Sequence, residues 1–382
     1  MKRALIICFT NLKNDARVMR QIDFLKDQYQ LTVAAFDAYP TDQYEFFRIE
    51  KTKLTLLRKS VSSVFLLFGF TSIAYKLLHN YEKYVHQLRV KNFQLIIAND
   101  IETLPITYQI ASTQTKVFFD AHEYAPRQFE DRIYWRIFFK RFNVDLCRKF
   151  IPKVDGMSTI NGGLAREYET HFGLKPIIIT NASKYYNLTP KTLTDYPIKL
   201  VHHGIFTISR SPDIMIELLL LLDDRFTLDL IYLLPENASQ KTKQYFEEFK
   251  QKASQTGKIK ILPALKSDQI TSTLNAHYDM GIILVPPVNF NYENGLPNKL
   301  FDCIQARLAM AVGPLREIAQ ITNQFNIGVV SHDFTAQGMA LALSKLTLED
   351  INRFKENSKE AASRLSADYN KSLLLETLNQ II

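Results

Sequence analysis

The chain has 382 residues, of which 46% are hydrophobic and 23% charged, so its composition is that of a folded protein and excludes an intrinsically disordered one. This length fits two domains, since one domain usually takes roughly 100–200 residues. The formal net charge of +8 favours binding to phosphate groups, whether on nucleic acid, anionic lipid or a diphosphate-linked substrate. The three scattered cysteines, Cys8, Cys147 and Cys303, exclude a disulfide framework and a Cys-x-x-Cys site.

The apolar runs are too short for membrane crossing. Ala4–Phe9 is shorter than the roughly 7–15 residues of a signal-peptide core and is interpreted as a buried first strand. The longest candidate, Val64–Phe70, is well below the roughly 18–20 residues that span a bilayer. Together with the cysteine usage, these runs predict a cytoplasmic protein, with peripheral contact with the inner face of the cell membrane left open.

The first half of the chain alternates strand and helix patterns. Ala4–Phe9 and Leu31–Phe36 are apolar runs on either side of a helical pattern at Arg17–Lys26. Further runs at Leu95–Ala98 and Val117–Phe119 are continuous rather than alternating, as in strands buried on both faces of a parallel sheet. The sequence predicts a Rossmann-like, doubly wound N-terminal domain over residues 1–182.

Residues 46–91 combine basic residues, aromatic residues and an apolar run. Lys51, Lys53, Arg58 and Lys59 precede Val64–Phe70. This composition is typical of a helix that lies in a membrane interface. It is also typical of an amphipathic helix that packs on a core, which is the more common case, so both interpretations stay open.

A polar, proline-containing stretch predicts a linker at residues 183–197. After it the alternation resumes in a second Rossmann-like domain, 198–360, followed by a helix at 361–382 that is predicted to pack back on the first domain. The predicted strands and helices of this half are Ile198–His202, Ile214–Leu222, Leu228–Leu234, Gln240–Ala253, Lys258–Leu262, Ser267–Ala276 and Met280–Leu284.

The most informative segment is the loop that leads into the helix predicted at Lys299–Ala306. Gly295, Pro297 and Asn298 stand where the loop should turn into this helix, so free N–H groups and the positive end of the helix dipole would face a bound anion. A diphosphate fits such a helix start, and Lys299 adds a fixed charge. Asp302, one turn later, offers oxygens for two ribose hydroxyls. The alternative is a solvated Lys–Asp pair on an amphipathic helix.

The run Gly295-Leu-Pro-Asn-Lys-Leu-Phe-Asp, followed by Ala306, Met310-Ala-Val and Gly328, resembles the donor-binding signature of the GT-B glycosyltransferases of retaining family 4. Three further motifs occur in the order of that family. They are Asn14-Asp15-x-Arg17-Val18-x-Arg20, Asn99-Asp100-x-Glu102-Thr-Leu-Pro105 and Phe119-Asp120-Ala-His122-Glu123. The resemblance implies an α/β protein of GT-B fold, with two Rossmann-like domains facing across a cleft.

The resemblance also implies which residues contact a nucleoside diphosphate sugar, the donor substrate, without any further cofactor. Catalytic contacts would come from His122, Arg210, Glu293 and Lys299. Donor-binding contacts would come from Asn14, Arg17, Gly204, Asn294, Gly295, Leu296, Pro297, Asn298 and Asp302. The family commonly has two glutamates eight positions apart, whereas this chain has Asn294 and Asp302, with Glu293 adjacent. The resemblance to the family therefore does not identify the donor sugar of this chain.

Several of these residues have a plain structural interpretation. Asp15 can cap the following helix, and Glu102 can be a helix N-terminal carboxylate rather than an acceptor-side or general-base group. His122 can be a loop histidine bonded to a carboxylate. A cation such as Arg17 opposes the dipole at a helix N-terminus, so another interaction must explain it. His202-His203 is a poor zinc pair, because adjacent strand residues point to opposite faces.

No Asp-x-Asp occurs in the chain, so the carboxylate metal clamp of the other large glycosyltransferase architecture is missing. We expect a metal-independent, retaining enzyme that transfers a sugar to a glycan or lipid-linked acceptor, in surface polysaccharide biosynthesis. One alternative is a sugar-nucleotide epimerase of the same fold. The other is a nucleic-acid-binding module, which the dispersed basic residues disfavour.

Overall fold

The computed structural model describes residues 1–382, which form two compact units. Unit 1 consists of Met1–Thr180, Asn289–Asn291 and Asn370–Ile382. Unit 2 consists of Asn181–Val288 and Tyr292–Tyr369.

The predicted linker at 183–197 is not a free connection. It has almost no regular secondary structure, but it is hydrogen-bonded to the body of unit 2. The Tyr186 N–H donates to Gln305 over 3.1 Å, and the backbone of Leu193 exchanges two hydrogen bonds with the Asn352 side chain, of 2.8 and 2.9 Å. Unit 2 therefore begins at Asn181 rather than at residue 198, and extends beyond the predicted end at 360.

Unit 1 contains one sheet of seven parallel strands in the order β3-β2-β1-β4-β5-β6-β7. The strands are β1 Lys2–Ile7, β2 Tyr29–Ala35, β3 Glu45–Arg48, β4 Leu95–Asn99, β5 Lys116–Ala121, β6 Gly156–Thr159 and β7 Ile177–Ile178. Leu5 and Ile7 of β1 and Ile96 of β4 are fully buried in the unit 1 core. The continuous apolar runs predicted from the sequence form these central strands.

The helices of unit 1 flank this sheet. They are α1 Ala16–Leu25, α2 Leu56–Leu67, α3 Thr71–His79, α4 Val85–Arg89, α5 Leu104–Ile110, α6 Ile133–Phe150 and α7 Gly162–Phe172. Helix α1 starts at Asp15, whose carboxylate accepts the Val18 N–H over 3.0 Å. Its residues Val18, Ile22 and Leu25 are buried, as their helical spacing predicts.

Unit 2 contains six parallel strands in the order β10-β9-β8-β11-β12-β13. They are β8 Ile198–Ile205, β9 Phe226–Leu233, β10 Ile259–Pro263, β11 Met280–Ile283, β12 Ala309–Val312 and β13 Gly328–Val330. The helices that follow are α8 Ile214–Leu221, α9 Gln240–Gln255, α10 Ile270–His277, α11 Phe290–Glu293, α12 Asn298–Gln305, α13 Arg316–Gln324, α14 Ala336–Ser344, α15 Leu348–Arg364 and α16 Ala367–Ile381.

Helix α16 brings the end of the chain into unit 1, starting at Asn370. The Asn370 side chain donates to the Thr180 carbonyl over 3.0 Å, and Leu374 and Leu378 are buried. The predicted single helix at 361–382 is thus two elements: the end of α15 lies in unit 2, and α16 follows after a break at Leu365–Ser366.

Both sheets are doubly wound, and each reverses its strand order beside its first strand, at β1/β4 in unit 1 and at β8/β11 in unit 2. In open α/β sheets, ligands bind outside the carboxyl ends of the strands at such a switch point. This places the predicted site residues that follow β4, β5, β8 and β11 where ligands are expected. None of the helices combines the length and apolarity that a bilayer crossing requires.

Candidate functional site

The carboxyl end of β8 carries His202, which is buried and holds Lys299 from the start of α12. His202 Nδ1 lies 2.8 Å from the Ile282 carbonyl oxygen, and its Nε2 lies 2.8 Å from Lys299 Nζ. Burial, and then the charge of Lys299, lower the pKa of His202 well below its ordinary value. The ring is therefore neutral, donates from Nδ1 to Ile282 and accepts at Nε2 from Lys299.

Gly204 lies against the Lys299 side chain at the end of β8. A Cβ at this position would lie 3.4 Å from Lys299 Nζ and 3.5 Å from its Cε. The φ of Gly204 is +138°, which side chains rarely adopt. The backbone conformation, rather than a lack of space for a Cβ, therefore favours glycine where β8 ends against the lysine.

Lys299 is a buried cation without a carboxylate partner in a salt bridge. Burial is the main reason that its pKa falls to about 7, and the charge of Arg210 lowers it further. Arg210 ends a short 3-10 helix, Ile208–Arg210, after β8 and is half-buried. Two neighbouring positive groups that destabilise each other in this way would be stabilised by a bound anion.

Asp302 lies one turn after Lys299 on α12, and His203 orients it. His203 Nε2 is 3.1 Å from Asp302 Oδ2. Both side chains are mostly covered, at 10% exposed for His203 and 17% for Asp302. One carboxylate oxygen is thus fixed by the protein, which leaves the other positioned to accept from a ligand hydroxyl.

The loop before α12 is held in place by a buried apolar residue, Leu296. Leu296 and Asn294 are buried, whereas Glu293, at the end of α11, is exposed. Pro297 is the N-cap of α12 and provides no side-chain hydrogen bond to the first turn. Helix α12 begins at Asn298, one residue before the predicted start at Lys299. Its N-cap side chain does not occupy the N–H groups of the first turn, and an anion site at a helix start requires this.

An apolar cavity of about 140 Å³ lies beside His203 and Gly204. Ile231 from β9 and Leu265, Ile270 and Leu274 from the segment after β10 line it. Its size and apolar walls suit one planar ring. The cavity adjoins His203, which orients Asp302. Unit 2 thus has neighbouring places for a planar ring, for two hydroxyls and for an anion.

In unit 1, Arg17 and Asp120 form a buried ion pair. The Arg17 guanidinium donates to both Asp120 oxygens, and its Nη1 donates to the Ile179 carbonyl over 2.9 Å. Gln21 and Ser158 also donate to Asp120. Although burial alone would raise it, Arg17 holds the pKa of Asp120 well below its usual range. The reason for a cation at the start of α1 is thus this pair, and the predicted contact of Arg17 with the donor stays a prediction.

His122 lies between two carboxylates just after β5. Its Nδ1 is 3.6 Å from Asp100 Oδ2 and its Nε2 is 3.3 Å from Asp120 Oδ2. Burial opposes the charged form, but the two carboxylates raise the pKa of His122 above its ordinary value. The two carboxylates therefore favour the charged form of this ring at the ligand-binding edge of the sheet.

Two further carboxylates lie beside Asp100, which has a φ of +64°. Burial, and then the charge of Asp100, raise the pKa of Glu102 to about 7 and also raise the pKa of Glu123. Glu123 Oε2 is buried without a hydrogen-bond partner. Glu102 therefore does not behave as an ordinary solvated carboxylate at a helix N-terminus, because its pKa is raised.

Asn14 and Asp15 differ in their surroundings. Asn14 is exposed in a short 3-10 helix, Leu12–Asn14, whereas Asp15 caps α1 and accepts the Thr10 hydroxyl over 2.7 Å. The structural interpretation of Asp15 is confirmed. The predicted donor contact of Asn14 stays a prediction.

The chain resembles several solved structures in its fold. No family model matches its sequence, and no curated protein matches it. Solved structures do match: HepE from Anabaena in complex with UDP has a TM-score of 0.69 at 14% identity, over 99% of this chain and 100% of that one. An E. coli trehalose-6-phosphate structure bound with UDP-2-fluoro glucose gives 0.68 at 8% identity, over 100% of both chains. Sucrose-phosphate synthase from Thermosynechococcus elongatus gives 0.68 at 12% identity, over 100% and 98%.

The fold is GT-B. The predicted fold class is confirmed, since two parallel sheets of seven and six strands match these structures over their whole length. At such low identity the match shows the fold and not the activity or the site residues. Membership of family 4 stays a resemblance.

Within this GT-B fold, the structure assembles some predicted residues and adds others. Gly204, Lys299 and Asp302 come together around β8, with Arg210 close enough to affect Lys299 electrostatically. The ring-sized cavity was not predicted, although the rule that ligands bind after strand ends draws attention to Leu265, which closely follows β10. No group of three or more histidine, cysteine, aspartate or glutamate residues is arranged to hold a metal ion.

Proposed function

We propose that this protein is a glycosyltransferase that moves a sugar from a nucleoside diphosphate sugar to a glycan or lipid-linked acceptor. The observation that carries the proposal is buried Lys299, without a salt-bridge partner, next to Arg210 at the start of α12. A protein buries such a charge at a cost that a bound diphosphate would offset. The proposal includes retention of configuration, no metal requirement and a role in surface polysaccharide biosynthesis on the cytoplasmic side of the membrane.

Unit 2 would bind the donor part by part. The cavity beside His203 would take the base, Asp302 the ribose hydroxyls, and Lys299, Arg210 and the N–H groups of α12 the diphosphate. Anabaena HepE supports this assignment, because that protein has been solved with UDP and with UDP-glucose. The predicted contacts of Glu293 and His122 with the transferred sugar belong to the same proposal.

The chemistry then follows from the charges. The acceptor hydroxyl oxygen bonds to the anomeric carbon as the bond from that carbon to the diphosphate oxygen breaks, and the hydroxyl proton passes to the departing diphosphate. Attack on the face from which the diphosphate leaves retains the configuration. Lys299 and Arg210 would stabilise the negative charge that develops on the leaving group.

We further propose that residues 46–91 contact the membrane surface. Leu57, Val61, Val64 and Phe68 follow one stripe of α2, and all four are exposed, Leu57 by 75% and Phe68 by 70%. A core helix would bury such a stripe. Basic residues before and within the helix favour an anionic lipid surface.

A thermal-shift panel of UDP, GDP, ADP and CDP with and without EDTA tests donor binding. We expect one nucleotide to raise the melting temperature, because a ligand that binds only the folded protein stabilises it. Lys299→Met should abolish this rise, whereas Lys345→Met, an exposed lysine of unit 2, should preserve it. Equal stabilisation of both variants would contradict the proposed site.

Incubation with the matching nucleotide sugar separates transferase from epimerase activity. A transferase releases nucleoside diphosphate, slowly to water or faster to an acceptor, and leaves the remaining donor unchanged. Isomerisation of the donor sugar without an acceptor would overturn the proposal in favour of an epimerase.

A further inference from the structure

An aromatic-walled cavity of unit 1, the aromatic cavity, lies at the carboxyl end of β4, next to Asp100 and Glu102. It has a volume of about 500 Å³, and Phe9, Tyr81, Phe129 and Trp135 are among its walls. This volume is in the range of pockets that hold small organic ligands. Apolar walls with two carboxylates at one end suit a sugar, whose ring faces are apolar and whose hydroxyls donate hydrogen bonds.

A second cavity, the basic groove, continues from the first. It has a volume of about 650 Å³ and shares Phe36, Lys51 and Thr52 with the aromatic cavity. Its charged lining comprises Arg48, Lys51, Lys53, Arg58, Lys83 and one carboxylate, Glu50. The groove is therefore strongly positive, in contrast to the carboxylate end of the aromatic cavity.

Most of these basic groups are held by the protein, but two are not. Lys83 pairs with Glu50 over 2.7 Å, Arg48 lies 3.3 Å from Asp37, and Arg58 donates to backbone carbonyls. Lys51 and Lys53 are exposed and form no salt bridge. Two ammonium groups without a salt bridge in the lining of the groove provide the charge that a phosphate requires.

Helix α2 begins at Leu56, three residues after Lys53, and presents its apolar side to solvent. Leu56 and Leu57 are exposed by 83% and 75%. Arg58, in the same turn, lines the basic groove. A ligand that left the groove in this direction would meet an apolar surface.

Because the aromatic cavity, the basic groove and the exposed apolar side of α2 follow one another, we propose that the acceptor is a saccharide joined through a phosphate to a lipid. The sugar occupies the aromatic cavity, with hydroxyls toward Asp100 and Glu102. The phosphate lies in the basic groove against Lys51 and Lys53, and the lipid chain follows the exposed side of α2. This inference rests on the proposed function, which it narrows from a glycan or lipid-linked acceptor to one chemical class.

The single tryptophan of the chain, Trp135, lines the aromatic cavity and provides a direct measurement of binding. We would titrate its fluorescence, without donor and below the micelle concentration, with decyl glucosyl phosphate. Decyl glucoside lacks the phosphate, and glucose 1-phosphate lacks the chain. We expect the complete probe to bind at least tenfold more tightly than either partial probe.

The charge-reversal variant Lys51→Glu/Lys53→Glu tests the groove. It should lose at least tenfold in affinity for decyl glucosyl phosphate and keep the affinity of the wild type for decyl glucoside. The matched control is Lys241→Glu/Lys243→Glu, which makes the same change in net charge at exposed positions of α9 in unit 2 and should bind both probes normally. Circular dichroism establishes that both variants are folded.

Three outcomes would overturn the inference. They are unchanged binding of the phosphate probe by the groove variant, equal affinity for decyl glucoside and the complete probe, and equal affinity for glucose 1-phosphate, which would indicate a water-soluble sugar phosphate. Nucleotide stabilisation, measured on the same samples, reports on unit 2 independently. Its absence beside normal probe binding would count against the proposed function and leave the phosphate–lipid site in place.

Discussion

Lys299 shows how one side chain can link binding to protonation. With a pKa of about 7, set by burial and Arg210, it is charged below that pH and neutral above it in the free protein. A diphosphate favours the charged form and therefore raises this pKa. Nucleotide binding at pH 8 should accordingly be accompanied by the uptake of about one proton.

Calorimetry of UDP binding in buffers of different ionisation enthalpy measures this proton uptake. If the thermal-shift panel selects another nucleotide, that nucleotide replaces UDP. The affinity should also fall as the pH rises from 7 to 9. Lys299→Arg, which stays charged at these pH values, should remove both the proton uptake and the pH dependence of the affinity. Proton uptake that persisted in this variant would exclude Lys299 as its source.

Asp302 is expected to recognise the ribose and not the phosphates. Each hydrogen bond to a charged group contributes about 1.5–3 kcal/mol, so Asp302→Ala should weaken UDP binding by about 10- to 100-fold. Pyrophosphate, which has no ribose, provides the control and should inhibit UDP binding to both proteins with similar affinity. A parallel loss for both ligands would indicate that Asp302 supports the loop instead.

The Arg17–Asp120 pair should determine stability. Removal of one partner from a buried ion pair leaves an uncompensated charge and costs about 3–5 kcal/mol. Arg17→Met should therefore lower the free energy of unfolding in urea by this amount. Lys26→Met removes only a partly exposed ion pair with Asp23, within one helix end, and should change the unfolding curve little. A small effect of Arg17→Met would show that this cation is retained mainly for ligand binding.

At the scale of elements, α2 departs from the usual orientation of an amphipathic helix. Its stripe at Leu57, Val61, Val64 and Phe68 is exposed, while Ser62 and Leu66 are buried. Periodicity in the sequence identifies the stripe but does not decide whether it faces the core or the solvent. Only the packing of the helix against its neighbours decides this.

Val64→Glu/Phe68→Glu should reduce sedimentation with anionic vesicles at least tenfold, because two charges replace apolar contacts with lipid. The melting temperature should not change, since Val64 and Phe68 are exposed by 51% and 70%. Leu341→Glu, at a similarly exposed position in unit 2, is the control. Vesicle binding that both variants retain would contradict membrane contact through α2.

At the scale of the whole chain, the two units are not consecutive segments. Helix α16 lies almost entirely in unit 1, although it follows α15 of unit 2 directly. The buried residues Leu374 and Leu378 and the Asn370 bond to Thr180 hold it there. The stability of unit 1 thus depends on the last residues of the chain.

Leu374→Ala and Leu378→Ala should each lower the free energy of unfolding by about 2–5 kcal/mol, as for other buried leucines. Nucleotide affinity of the folded protein should stay unchanged, because the proposed donor site lies in unit 2. Gln380→Ala, at an exposed position of the same helix, is the control for both measurements. Loss of nucleotide binding under folding conditions would contradict this separation.

The sequence by itself determined the fold class and the start of the proposed donor site. Strands buried on both faces of a parallel sheet are continuous apolar runs, so β1, β4 and β5 were recognisable. Pro297-Asn298 marked the start of α12 within one residue. The short edge strand β3, Glu45–Arg48, lacks such a run and was not predicted. Local patterns carry this information because they reflect burial of neighbouring residues.

The tertiary structure decided which residues act together. Arg17 and Asp120 are 103 positions apart, and His202 and Lys299 are 97 apart. The sequence offered Arg17 as a ligand contact, whereas the fold pairs it with Asp120. It also could not reveal that Lys51 lies between an aromatic cavity and a basic groove. Burial, hydrogen bonding and pKa depend on distances through space, which the order of residues does not specify.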